Sequence, residues 1–486
     1  MSRVPPKTKV SSLYASRYSK SHAILVLAWI VPLCLLTLSF GPNWALALYS
    51  SFILALGTLL LWREAEPPIL FVVFLFQWIQ ASAGVFYANI LALPVGDIAK
   101  YGGQQDMAIF LLLSGVLILA ITIRLTIGPP IPSLYPRVQA FVSSWPYSSW
   151  VSIFAIAWLF SATCAAAAPI IGGLELPLFT MSQIHWAAFV LLTLATFSVP
   201  GRPKGVWLAI FAFEFVLSVG GYFSTFKDVF IYALIGLSAS RVRLNVRVVL
   251  PAVFLAGILL CLSLVWTAIK GDYRAFVNAG TGQQVVTVDY ISSVSELVRL
   301  ASDLNLNDIS DAADLMVRRF MYFEYFGVVL DQVPYNVPHA NGEIWTEAVI
   351  RVFTPRLLFP NKRAINDSDL TNYYTNLELS TDREGASISI GYIAEAYIDF
   401  GYAFMMIPIA ALGALLGLLY RWLLTRSGNE AVLGMSLAPF ALMPALFLET
   451  SVLKLVPALG LSGLACLVVL KVLGSRVFGL NMGREG

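Results

Sequence analysis

Arg351, Arg356, Lys362 and Arg363 stand close together, among prolines and apolar side chains, in the stretch HANGEIWTEAVIRVFTPRLLFPNKR that runs from His339 to Arg363. Pro355 and Pro360 fix the backbone on both sides of Arg-Leu-Leu-Phe, so these cations are expected to be held in place. Held cations of this kind suit a phosphate group: arginine grips it through two parallel N–H donors, lysine as a point charge. Arg318 and Arg319 offer a second basic pair with two readings. They either snorkel to headgroups from a helix at a bilayer surface or grip a diphosphate. Lys227 lies between two apolar runs, in SVGGYFSTFKDVFIYALIGL. It is either an ionisable group kept at membrane depth for a function or a loop lysine paired with its neighbour Asp228.

Proton transfer has its own candidates. Glu395 and Asp399 in SISIGYIAEAYIDFGYAF are spaced i, i+4 and share one helical face. They would supply a general base, or pair with the arginines and hold the loop down. His339 has the right unperturbed pKa for proton transfer, although a lone histidine is more often structural. Glu214, inside FAFEFVLSV, is an acid within an apolar run and calls for a buried partner. Tyr373 and Tyr374 offer ring faces on which sugars would stack.

The elements that must position these residues are helices in a membrane. The chain has 486 residues, of which 58% are hydrophobic and 12% charged, about half the charged share of a soluble domain. Apolar runs of about 20 residues, long enough to cross a bilayer, recur at 22–40, 43–62, 68–90, 107–126, 149–171, 183–199, 206–222, 248–268, 402–424, 431–449 and 455–475, with one at 228–240 that is short for a full crossing. The expected fold is an all-α polytopic membrane protein with about 12 transmembrane helices and one large extracytoplasmic loop. It divides into an N-terminal membrane bundle of about nine helices (1–268), a large loop (269–387) and about three C-terminal membrane helices (388–486). Within the loop, apolar periodicity predicts two amphipathic helices, at 289–304 and 306–332, lying on the bilayer or capping the bundle.

Bases at Arg63, Arg124, Arg137, Arg202, Lys204, Arg241, Arg243, Arg247, Arg421 and Arg426 favour cytoplasmic termini and an extracytoplasmic polar segment. The basic N-terminus is expected to be a cytoplasmic tail before an uncleaved first helix. Cys34, Cys164, Cys261 and Cys466 all fall in apolar runs, so neither a disulfide nor a thiolate metal site is expected. His22, His185 and His339 are too scattered for a zinc motif. No pattern points to nucleic acid.

Arg319, then VPYNVPHANGEIWTEAVIRVFTPRLLFPNK, then GASISIGYIAEAYIDFG leading into the next span, form an ordered set over about 315–402. It resembles the bacterial oligosaccharide repeat unit polymerases, the O-antigen polymerase (Wzy-type) family. Gly342, Pro355, Arg356, Pro360, Lys362, Glu395, Phe400 and Gly401 fall on that family's pattern, and Lys362-Arg363 departs from the Lys-Pro often found there.

The resemblance implies a GT-C-like, metal-independent membrane glycosyltransferase of the bacterial inner membrane that needs no cofactor. It would polymerise undecaprenyl-diphosphate-linked oligosaccharide repeat units in O-antigen or exopolysaccharide biosynthesis. Arg319, Arg351, Arg356, Lys362 and Lys227 would then bind diphosphate, with Arg356 also aimed at charge developing on the leaving group. Glu395 or His339 would deprotonate the acceptor, and Tyr373 and Tyr374 would meet sugar. Partners would be the lipid-linked glycan, membrane lipids, and the chain-length regulator and flippase of the same pathway. The alternatives are an O-antigen ligase-type glycosyltransferase and a transporter or flippase of lipid-linked glycan.

Overall fold

The computed structural model describes residues 41–63, 66–218, 226–240, 246–280, 286–362, 365–379, 387–426 and 429–474. The expected first span (22–40), Cys34, His22, Arg241, Arg243 and Arg363 lie outside them. Among the described residues the chain is all-helical. The N-terminal part contains α1 (Trp44–Leu61), α2 (Ile69–Ile90), α3 (Gln105–Thr126), α4 (Leu134–Ser143), α5 (Tyr147–Ala167), α6 (His185–Phe197), α7 (Lys204–Ser218), α8 (Phe226–Ala239) and α9 (Val246–Val277). The polar segment folds into α10 (Tyr290–Ser302), α11 (Leu306–Phe320), α12 (Glu324–Gln332), α13 (Glu343–Phe353) and α14 (Asp367–Thr375). The chain closes with α15 (Tyr392–Phe404), α16 (Met406–Leu424), α17 (Glu430–Leu442) and α18 (Val452–Val469).

Among the described residues, seven helices are long and apolar enough to cross a bilayer: α1, α2, α3, α5, Glu175–Phe197 with α6 at its end, α16, and Val452–Val472. About twelve were expected. Of the other five, 22–40 lies outside the described residues and 248–268 falls within α9, while three are short: α7, α8 and α17 have 15, 14 and 13 residues, and at about 1.5 Å per residue such helices fall short of a hydrocarbon core of about 30 Å.

The bundle has two chemically distinct ends. At one, the Arg63 guanidinium donates to the Gly128 carbonyl, Arg124 reaches the same carbonyl at 3.4 Å, and Arg421 donates to the Pro129 carbonyl at 2.9 Å. At the other, the polar segment is tied down. The Gln104 amide donates to the Gly327 carbonyl at 3.0 Å, the Lys100 amide to Glu324 at 3.0 Å, and Tyr87 to Asp314 at 2.5 Å. Three of the bases used to orient the chain therefore gather at the end opposite the polar segment.

Small residues set the closest helix contacts, as expected where dispersion and not water drives association. Gly413 and Gly417 bring α16 onto α3, where a methyl at either would meet the hydroxyl of Thr122 or Thr126 and come within 2.8 or 2.9 Å of a backbone carbonyl. Gly434 is tighter, since its methyl would land on the Leu423 carbonyl oxygen. Gly434→Ala is expected to cost about 1–3 kcal/mol and to lower the melting temperature of the detergent-solubilised protein. Ser436→Ala, on the same helix, removes only a hydroxyl bonded to the Leu433 carbonyl at 2.8 Å and is the control.

The polar segment differs from expectation in one respect. The amphipathic run at 306–332 is two helices, because Met321 and Phe323 turn into the bundle and are buried there. Phe323 sits where a side chain on Gly84 would stand, and the Tyr322 amide donates to the Gln80 carbonyl at 3.2 Å. Consequently α12 is buried along Phe326–Leu330, not laid on a surface. By contrast α10 and α11 leave Ile291, Val298, Leu306 and Leu315 exposed, an apolar face suited to a bilayer surface. Their starts are capped: Asp289 accepts from the Ser292 amide at 3.0 Å, and Asn305 and Asp308 form a reciprocal capping box.

Candidate functional site

Glu395 and Asp399, one turn apart on α15, each cap a different helix. Asp399 accepts from the Ile344 and Trp345 amides at 3.2 and 2.8 Å, at the start of α13. Glu395 accepts from the Val452 amide at 2.6 Å, at the start of α18. Because α13 and α18 pack against each other, α15 acts as a two-point bracket that fixes both N-termini, where unpaired amides and the helix dipole favour a carboxylate. Gly342 supplies the left-handed turn into α13 (φ 91°). Gly401 breaks α15 with φ 61° and ψ −174°, a conformation reserved for glycine.

This bracket changes the roles expected of the acids. Burial pushes Glu395 up to about 8, so it carries a proton at neutral pH, and it is fully buried. It positions the start of α18. Asp399 holds the loop down as one reading expected, but through backbone amides and not through arginines. Burial raises its carboxyl too, with the amides of Trp345 and Ile344 opposing. His339 is half-buried, its Nδ1 3.1 Å from the Ile398 carbonyl, its ring edge-on to Tyr397 and close against Gly401.

The basic stretch is divided. Arg351 is buried and ion-paired with Glu347, Nε to Oε1 at 2.8 Å. Lys362 donates to the Arg351 and Thr354 carbonyls at 3.1 and 2.8 Å, satisfying the open end of α13. Burial, then Arg351 and Arg356, lower its pKa. Both were expected to bind diphosphate; in the structure the Arg351 side chain pairs with Glu347 and that of Lys362 closes the last turn of α13. Arg356 is exposed and, among the described residues, makes no hydrogen bond or ion pair. It is flanked by exposed Leu357, Leu358 and Phe359, and its loop rests near Gly173.

A second set of cations converges from distant parts of the chain. Lys227, in the first turn of α8, holds its ammonium 4.8 Å from the centre of the Phe447 ring. It forms no ion pair with Asp228. Arg319 ends α11, exposed and without a hydrogen bond or ion pair among the described residues. Its neighbour Arg318 is tied to Asp314 at 2.7 Å and to the Ile98 carbonyl at 2.9 Å. Glu449, in the loop before α18, lies near both unpaired cations. Burial raises its carboxyl, while Lys227 and then Arg319 oppose that rise. Burial, then Arg319 and Arg274, push Lys270 of α9 down to about 8. Arg319 thus acts on both Glu449 and Lys270, and Lys227 acts on Glu449.

An anion here would be stabilised while Lys270 is charged. Its folded pKa lies below the ordinary 10.5, so that charge is lost as the pH rises through about 8. Inorganic diphosphate is therefore expected to bind more weakly at pH 9 than at pH 7. Lys270→Arg, charged at both, should lose most of that difference in a titration.

Sequence reading missed Lys270, Glu449 and Gln80. Gln80 accepts from the Leu448 amide at 2.7 Å, which turns its NH2 group toward Glu449 at 3.1 Å. Gln77 and Gln80 in the apolar FQWIQ were the available signal, since i, i+3 glutamines on one face of a span require polar partners. Of the two candidate sugar contacts, Tyr373 is exposed and Tyr374 buried, the rings meeting edge to face at 4.9 Å. Only Tyr373 presents a free face. His185 Nε2 lies 3.9 Å from Glu214 Oε2, beyond hydrogen-bond distance, and the other carboxyl oxygen of Glu214 is buried without a partner among the described residues. Among the described residues no group of three or more His, Cys, Asp or Glu could hold a metal ion.

A family model described as a domain of unknown function (DUF8712) matches residues 139–427, more than half of the chain. No curated protein and no solved structure matches.

Proposed function

The chain belongs to the DUF8712 family, and we propose that it polymerises oligosaccharide repeat units carried on a lipid diphosphate such as undecaprenyl diphosphate. The observation that carries this reading is the placing of charge around Glu449: Lys227 stands over the ring of Phe447, two residues before it, Lys227 and Arg319 both act on Glu449, and Arg319 acts also on Lys270. Three cations from three helices, two of them exposed, have no ion pair among the described residues. They lie in the part of the chain joined to the polar segment, away from the Arg63–Arg124–Arg421 end.

In this reading the polar segment faces the extracytoplasmic side of a bacterial inner membrane and both termini are cytoplasmic. The exposed apolar faces of α10 and α11 rest on lipid and bring a carrier's diphosphate to Arg319. Lys227, Lys270 and Arg319 hold the donor diphosphate and stabilise the charge it gains on leaving. Arg356, at the apolar rim of α13, meets the second carrier's headgroup. Tyr373 offers a stacking face to sugar. A flippase supplies the substrate and a chain-length regulator acts on the product.

Lipid-linked intermediates in cells lacking the gene test the class of reaction. The proposal expects single repeat units on carriers in the outer leaflet of the inner membrane. Units trapped in the inner leaflet would mark a flippase, and full-length polymer left on the carrier would mark a ligase.

A further inference from the structure

We infer that Glu449 is the general base that activates the acceptor hydroxyl, an assignment that rests on the proposed glycosyl transfer. Three observations support it. Glu449 is half-buried in the short loop before α18, beside Lys227 and Arg319. One oxygen, Oε2, is fixed by the Gln80 amide at 3.1 Å, and Gln80 is itself fixed by the Leu448 amide at 2.7 Å. The other oxygen, Oε1, takes no hydrogen bond among the described residues and is not sealed in the interior. A carboxylate with one anchored and one available oxygen, next to cations that would hold a leaving group, has the form of a positioned base.

Three other acids of the polar segment and α15 are committed. Glu395 caps α18 from full burial, Asp399 caps α13, and Asp367 is ion-paired with Lys454 at 2.5 Å. His339 is tied to the Ile398 carbonyl.

In the step itself, Glu449 Oε1 takes the proton of the acceptor hydroxyl as that oxygen bonds to the anomeric carbon of the donor. The bond from this carbon to the diphosphate oxygen breaks, and its electron pair leaves with the lipid diphosphate beside Lys227, Lys270 and Arg319. Glu449 then returns the proton to solvent. The competing role for Glu449 is a passive counter-ion for the cations, and the two make opposite forecasts.

The test uses full-length protein in lipid nanodiscs with an undecaprenyl-diphosphate-linked oligosaccharide. Glu449→Gln should slow elongation by about 100-fold or more while binding inorganic diphosphate as well as wild type or better. Glu449→Ala should regain part of its rate on adding formate, which a structural role would not permit. Glu449→Gln elongating within a few-fold of wild type would overturn the assignment, as would Glu449→Ala that formate does not rescue. Wild-type protein that elongates nothing would instead sink the proposed function, so the two failures are distinguishable.

Discussion

Arg319→Ala is expected to slow chain elongation by about 100- to 1,000-fold, the scale seen when one preorganised donor to a developing charge is removed. The argument rests on a contrast between neighbours. Arg318 already spends its charge on Asp314 and the Ile98 carbonyl, whereas Arg319 has no such partner and contributes to the field at both Glu449 and Lys270. Arg318→Ala should cost up to about 1 kcal/mol of stability as an exposed ion pair is lost, and leave the rate within a few-fold of wild type. Arg319→Lys keeps a charge but loses the planar fork, so it should fall between wild type and Arg319→Ala. Rates of lipid-linked product formation at matched protein levels decide this, and equal loss in Arg318→Ala and Arg319→Ala would refute the division of roles.

The second large effect is expected at Asp399. Asp399→Ala removes a buried carboxylate from the Ile344 and Trp345 amides, leaving two donors without an acceptor. Loss of a helix cap and exposure of buried donors together cost about 2–4 kcal/mol. The first turn of α13 should fray, and with it the seating of Arg356. Hydrogen exchange over 342–362 should rise well before exchange in α3 or α16. Asp399→Asn, with one carbonyl oxygen, should keep about half of the protection.

Glu395→Gln should be mild by comparison. Its carboxyl is raised from the ordinary 4.5 to about 8, so the native state holds a proton that the unfolded chain releases, and stability falls as the pH rises between those values. An amide resembles the protonated acid and has no such step. Thermal melts from pH 5 to 9 should therefore decline for wild type and stay flatter for Glu395→Gln.

The sequence revealed membrane helices, the polar segment and the importance of α15, because those depend on runs of apolar residues and on local spacing. The shared helical face of Glu395 and Asp399 was visible in their i, i+4 spacing. Their partners were not: each carboxylate binds backbone amides 54 to 57 positions away, and a backbone amide has no residue type to recognise. The partners of the basic stretch were hidden for a related reason. Prolines beside cations suggested presentation to a ligand, yet the carbonyls left open at the end of α13 draw in Lys362. Lys270 and Glu449 stayed hidden because the charges that act on them come from elements distant in sequence: Arg319 of α11 acts on both, and Lys227 of α8 on Glu449. A single lysine after one apolar run and a single glutamate before another carry no spacing signal.

One measurement bears most directly on the central claim. Purified wild-type protein in nanodiscs, given undecaprenyl-diphosphate-linked repeat units, should convert them into a ladder of longer lipid-linked glycans with release of free undecaprenyl diphosphate. Replacing Arg319 and Lys227 together by alanine should leave single units unchanged. A ladder of wild-type length from that double variant would contradict the placement of the site, and no ladder from wild type would contradict the function.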